Sequence, residues 1–284
     1  MNNDFMAAVK RATDHAREVG AIKSIRTEAS TIQEDNIPFT IRVVENLARK
    51  ERNAAANPAN PFLPYDEDLF VADISDTHLC LLNKFNVVDD HLLFVTKQFE
   101  SQQSLLTSED FEALWFGLKA MNGLVFFNSC ETAGASQKHK HLQMIPCPIG
   151  VDGDSVPVAA AFHSPKEDEV ICRSDELPFA HVYAKIDPPN GRSNRECADH
   201  LRELYLAMLQ TLRLWQPKAP ESIQPYNLLA SREWLWLVPR AEPQHQGISV
   251  NALGFAGTCL LKNTAQLELL REIGLMALLA AVSG

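Results

Sequence analysis

The chain has 284 residues, 46% hydrophobic and 22% charged, enough to bury a sizeable core and inconsistent with disorder throughout. A net charge of −10 argues against a non-specific nucleic-acid binder but leaves room for a phosphate-bearing small ligand in a locally positive pocket. Gly 12 and Pro 16 exclude collagen-like or low-complexity architecture.

Residues 5–19 predict a helix with no breaker before Gly20, and this charged N-terminus lacks the apolar stretch of a signal peptide. Thr40 to Val44 alternates like a strand, and Lys50 to Pro64, with its Asn-Pro and Leu-Pro steps, reads as a loop. His78 to Asn83 and His91 to Thr96 predict two buried strands, antiparallel across a short connection. Ser108 is the expected N-cap of a helix whose buried face is Phe111, Leu114, Trp115, Leu118 and Met121. Val125 to Phe127 and Leu142 to Ile145 predict another strand pair.

Residues 150–174 are irregular. Residues 194–215 predict an amphipathic helix with Leu201, Leu204, Met208, Leu212 and Trp215 on one side, ended by Pro217 and Pro220. Tyr226 to Leu229 and Trp234 to Val238 predict a hairpin, and residues 263–282 a closing helix. Trp234 and Trp236 alternate with Leu235 and Leu237, so at least one indole belongs to the core. No stretch reaches the length of a membrane span. Cys80, Cys130, Cys147, Cys172, Cys197 and Cys259 form no C-x-x-C pair and read as buried thiols in a reducing cytoplasm. Strands and helices mix without strict βαβ alternation, which predicts an α+β fold around an antiparallel sheet.

The chemistry-bearing segment runs from Asn128 through Gly134-Ala135-Ser136-Gln137 to His139-Lys140-His141-Leu142-Gln143. On a strand, His139, His141 and Gln143 share one face while Lys140 and Leu142 take the other. Three polar groups on one face suit a ligand better than a core. An imidazole is nucleophilic at neutral pH when one ring nitrogen is free and the other is held as N–H, so a carbonyl behind His141 would equip it to attack phosphorus. Gln143 can donate its amide to a phosphate oxygen, and donors from Gly134 to Gln137 can cradle neighbouring phosphates. By itself H-x-H-x-Q also admits two ligands of a metal such as zinc, or a polar strand edge without a role.

This row resembles that of the histidine-triad superfamily, in the nucleotidyltransferase branch where glutamine replaces the third histidine. Within it, the chain is similar to the diadenosine tetraphosphate (Ap4A) phosphorylase/ATP adenylyltransferase family. Separated blocks carry the resemblance: Asn60-Pro61-Phe62-Leu63-Pro64; Leu82 to Val88 with His91 and Val95-Thr96-Lys97; Gly134 to Gln143; Tyr226 to Leu229; Glu233-Trp234 to Pro239-Arg240; and Gly247 to Ala252. It implies a histidine-triad-like unit spanning 1–284, with residues 1–150 as a core carrying the motif and residues 151–284 closing the nucleotide site.

The resemblance implies His141 as the nucleophile that takes the adenylyl group, with His139 and Gln143 beside it. It implies substrate contacts from Lys50, Asn83, Lys84, Asn128, Gly134, Ala135, Ser136, Gln137, Asn227, Trp236 and Arg240. It further implies phosphorolysis of Ap4A to ADP and ATP; expected with it are no prosthetic group, magnesium only as a companion of the nucleotide, and, from the thiols, the charge and the chain length, a cytoplasmic monomer without nucleic-acid or membrane partners. A hydrolase, a sugar-phosphate nucleotidylyltransferase and a catalytically silent nucleotide sensor are the competing expectations. Two departures stand out: Asp89-Asp90 where the superfamily often has Pro-Gly, and Lys138 where proline is common.

Overall fold

A hairpin of β1 (Thr27–Glu34) and β2 (Ile37–Val44) gains β13 (Thr258–Leu261) as a parallel third strand. These elements come from a computed structural model that describes residues 2–44, 60–150, 156–163, 169–186, 193–219 and 221–284. The central layer is an eight-stranded antiparallel sheet. Its strands are β3 (Phe70–Asp73), β4 (His78–Leu82), β5 (Leu92–Thr96), β6 (Gly123–Asn128), β7 (His141–Pro146), β8 (Val182–Lys185), β9 (Tyr226–Ala230) and β10 (Trp234–Pro239). They lie in the order β3-β4-β5-β7-β6-β9-β10-β8, so one sheet takes strands from both portions of the chain. A small pair, β11 (Gln244–His245) and β12 (Ile248–Ser249), sits beyond it.

Helices α1 (Asn2–Glu18), α2 (Ser108–Ala120) and α3 (Asn194–Thr211) cover one face of the sheet, where Val9, Phe111, Leu114 and Met208 join Val125, Phe127, Leu142 and Leu235 in one core. The opposite face carries two separate apolar clusters. A large one packs β2, β13, α4 (Ala252–Ala256), α5 (Thr264–Ile273) and α6 (Leu275–Val282) over Phe126, Leu229 and Trp236. A small one gathers Phe62, Leu79, Leu81, Leu93 and Val95. His141 and Gln143, on the strand between them, belong to neither. The α+β architecture expected from the sequence is therefore observed, and its helices and second sheet leave a polar strip along β7.

Three strand pairs anticipated from the sequence form in register: β4 with β5, β6 with β7, and β9 with β10. Other expectations need correction. Thr107, not Ser108, is the N-cap of α2; its hydroxyl accepts from the Asp110 amide while the Asp110 carboxylate accepts from the Thr107 amide, a reciprocal capping box. Helix α3 stops at Thr211 rather than at the prolines, because Arg213 adopts φ +59°. The closing helix is two helices broken at Gly274, φ +79°, where the Glu34 carboxylate accepts from the Leu275 amide at 2.6 Å and caps α6. Four of the six thiols are buried, but Cys130 and Cys147 are only half-buried.

Candidate active site

Strand β7 begins at His141, and the residues before it stay on the β5 side, where the Thr96 amide donates to the Lys140 carbonyl at 3.3 Å. The Gln102 amide donates to the Lys138 carbonyl and the Lys140 amide to the Glu100 carbonyl, each at 2.8 Å, so residues 138–140 run beside the extension of β5. The alternation continues through this junction. The rings of His139 and His141 both meet Phe62, at centroid distances of 5.6 and 5.3 Å. Leu142 enters the helix-side core. Lys140 enters it too, as a fully buried ammonium that donates to Glu100 at 2.7 Å, Asp110 at 3.1 Å and the Leu105 carbonyl at 3.2 Å. Asp110 also accepts from His78 Nε2 at 3.0 Å. Burial alone would raise the Asp110 pKa, but the His78 hydrogen bond and the Lys140 charge outweigh it and hold the carboxyl below its ordinary value.

The imidazole of His141 has one nitrogen fixed. Its Nδ1 lies 2.8 Å from the His139 carbonyl, which can only accept, so Nδ1 carries the proton and Nε2 keeps its lone pair. No described residue occupies Nε2. Burial pushes this imidazole down to about 4, with the neighbouring His139 adding to the effect against the backbone hydrogen bond. The ring is therefore neutral and nucleophilic at physiological pH.

His139 differs from the expectation that it offers a ring nitrogen to a ligand. Its Nε2 donates to the Thr96 carbonyl at 2.8 Å, and its Nδ1 accepts from Asn60 Nδ2 at 3.2 Å. Both nitrogens are engaged, so the residue acts on the site through its carbonyl.

Gln143 is oriented by His91. Its Oε1 accepts from His91 Nε2 at 3.0 Å, and His91 Nδ1 accepts from Asn83 Nδ2 at 3.2 Å. Burial pushes His91 down to about 4, which keeps the ring neutral and this relay single-handed. Asn83 thus serves the strand end, where its Oδ1 accepts from the Phe85 amide in an Asx turn. Lys84 forms a half-exposed ion pair with Asp66 at 3.1 Å. Asp90, at the first departure from the superfamily pattern, takes φ +53°, a conformation natural to glycine.

The loop before the histidines is shaped by Gly134, at φ +94°, where an added Cβ would fall 2.7 Å from the Asn251 Cβ. Beyond it, the side chains of Ala135, Ser136 and Gln137 lie exposed or half-buried, and neither Ser136 nor Gln137 has a side-chain partner among the described residues. Asn227 and Arg240 do not offer free donors as expected, whereas Asn128 engages only its Oδ1 and keeps its Nδ2 without a partner among the described residues. Asn128 Oδ1 accepts from Asn227 Nδ2 and from the Ala252 amide; Asn227 Oδ1 accepts from Arg240; and Arg240 also donates to the carbonyls of Ala133, Val250, Glu242 and Val282. This buried network ties the loop to the C-terminal portion. Trp236 is fully buried among Phe162, Phe179, Phe255 and Trp234, so its ring is core and not a stacking platform. Lys50 lies outside the described residues.

Asn60, Phe62, His91 and Thr96 sit in the site although the sequence marked them only as parts of larger similar blocks. Gln102, in a polar stretch, carried no signal. Among the described residues no cluster of three or more His, Cys, Asp or Glu side chains converges to hold a metal, and no helix is long and apolar enough to cross a membrane.

Comparison with known proteins matches both portions of the chain. Residues 1–164 match the Ap4A phosphorylase N-terminal domain and residues 175–284 the ATP adenylyltransferase C-terminal domain. Diadenosine 5',5'''-P1,P4-tetraphosphate phosphorylase 2 of Saccharomyces cerevisiae is 27% identical over 90% of this chain and 87% of its own length. The protein APA1 of the same yeast is 27% identical over 92% and 87%. The fold superposes on the crystal structure of yeast Ap4A phosphorylase Apa2 in complex with Ap4A with a TM-score of 0.80, 24% identity, and 98% and 97% of the two chains covered. With both halves of the chain matched in order, this protein belongs to the Ap4A phosphorylase/ATP adenylyltransferase family of nucleotidyltransferases.

Proposed function

We propose that this protein cleaves Ap4A with inorganic phosphate, yielding ADP and ATP, through a covalent adenylyl intermediate on His141. The observation that carries the reading is the fixed tautomer of His141, with Nδ1–H on the His139 carbonyl and Nε2 left as a lone pair. In the first step Nε2 attacks the α-phosphorus, the bond to the bridging oxygen breaks, and ATP departs with the electron pair. In the second, a phosphate oxygen attacks the same phosphorus, the N–P bond breaks, and ADP leaves. Two in-line displacements give net retention at phosphorus and ping-pong kinetics. The unpaired amide of Gln143 and the donors of Ser136 and Gln137 are suited to stabilise charge on the equatorial oxygens. His139 positions the nucleophile, and Asn128, Asn227 and Arg240 support the phosphate loop from behind. Asn83 and Lys84 flank the site at the end of β4, and Lys50 remains a candidate for the polyphosphate. A magnesium ion, where one takes part, arrives with the polyphosphate oxygens. The reading places the protein in the cytoplasm as a monomer.

The test is incubation of the purified protein with Ap4A, with and without inorganic phosphate, followed by ion-exchange separation of nucleotides. ADP plus ATP only when phosphate is present supports the phosphorylase. AMP plus ATP without phosphate makes the protein a hydrolase, and no product overturns the catalytic reading. His141→Asn should abolish turnover and adenylylation while Ap4A still binds.

A further inference from the structure

We infer that Gln102 is the positioning residue of the nucleophile, a wedge that holds the backbone of His141 in the place where the sheet opens. The pairing of β6 with β7 runs from Gly123 opposite Pro146 to Phe126 opposite Gln143. Continued by two residues, it would set Asn128 opposite His141. The side-chain amide of Gln102 stands there instead. Its Oε1 accepts from the His141 amide at 2.9 Å, and its Nε2 donates to the Asn128 carbonyl at 2.7 Å and to the His141 carbonyl at 3.3 Å. Gln102 is 2% exposed. One amide thus replaces the ladder bonds that the separated strands no longer make, and three buried backbone groups are satisfied by it.

Two consequences follow from the wedge. The chain is released from the ladder after Asn128, which lets residues 129–137 leave the sheet as the phosphate loop. The backbone of His141 is fixed on both sides, which sets the imidazole against the His139 carbonyl. The wedge is itself seated by the Gln102 amide on the Lys138 carbonyl. Because Gln102 touches the nucleophile's backbone and not the reacting atoms, its loss should lower the rate of adenylyl transfer more than the affinity for Ap4A.

This inference rests on the covalent reading above. The experiment is rapid-quench measurement of protein-bound adenylate on mixing with Ap4A without phosphate, comparing wild type, Gln102→Leu and Gln102→Glu, with Ap4A affinity taken from binding to the same proteins carrying His141→Asn. Gln102→Leu should slow adenylylation by about 10²-fold, the scale of a small misplacement of a reacting group, with affinity changed little. Gln102→Glu keeps the shape but has a donor only when protonated, so its adenylylation should recover as pH falls, whereas wild type stays flat over the same range. Folded variants that adenylylate at the wild-type rate, or lose rate and affinity in equal measure, or a Glu variant whose loss ignores pH, would overturn the inference. If Gln102→Leu does not fold, the pH response of Gln102→Glu decides alone. Wild type that never acquires adenylate overturns the covalent reading and this inference with it.

Discussion

Gln143 Oε1 lies 3.0 Å from His91 Nε2, and this one contact decides which end of the Gln143 amide faces the strip between the two apolar clusters. The oxygen is taken by His91, so the NH2 group is the end left without a partner among the described residues.

Gln143→Glu should keep the bond from His91 but replace the free donor with a negative oxygen. Loss of one donor to a transition-state oxygen costs about 10²–10³-fold in kcat, and repulsion of the polyphosphate should raise KM as well. Steady-state phosphorolysis of Ap4A measures both. A variant with wild-type kcat would mean that this amide does not meet the transferring phosphoryl group.

The pH dependence follows from the two buried imidazoles. His141 and His91 are each pushed down to about 4 by burial. Adenylylation needs neutral His141, so kcat/KM should stay level below pH 6 and fall only as pH nears about 4. A limb centred near the ordinary histidine value, about 6.5, would mean that the ring is solvated during turnover. Stability carries the same sign. Folded-state values below the unfolded ones mean that the unfolded chain binds protons first. This contribution is fully present above the unfolded value and is lost as pH falls through the window down to about 4. Urea titrations at stepped pH would read it.

Lys140→Met should destabilise the protein by about 3–5 kcal/mol, because it leaves the buried Asp110 carboxylate without its cation. Chemical denaturation measures the loss. Lys140→Met with Asp110→Asn should recover part of it. A loss under about 1 kcal/mol, the scale of a surface ion pair, would contradict the buried geometry.

Gly134→Ala should displace the phosphate loop. It meets both a positive φ and the Asn251 side chain, and strain of this kind is worth about 1–3 kcal/mol. The expected readout is a higher KM for Ap4A and phosphate with a lower melting temperature. Unchanged KM values would place the loop away from the polyphosphate.

The sequence by itself determined what depends on local order. Alternation put His139, His141 and Gln143 on one face and Lys140 and Leu142 on the other, because side chains of an extended chain reverse at every residue. Adjacent strands joined by short connections, such as β4 with β5 and β9 with β10, were readable for the same reason. The tertiary structure alone decided what depends on partners far along the chain. Strand β13 joins β2 across more than two hundred residues, and Glu34 caps α6 from a similar distance. The Trp234-Leu235-Trp236-Leu237 alternation put at least one indole in the core, and the fold buries both, since the sheet is covered on both faces there. Asn227 and Arg240 look like ligand contacts in a similar block but are spent on the loop because β9 lies beside β6. Gln102 shows the limit most plainly: a single glutamine in a polar stretch acquires its place only when two strands part and leave backbone groups that must find a partner away from water.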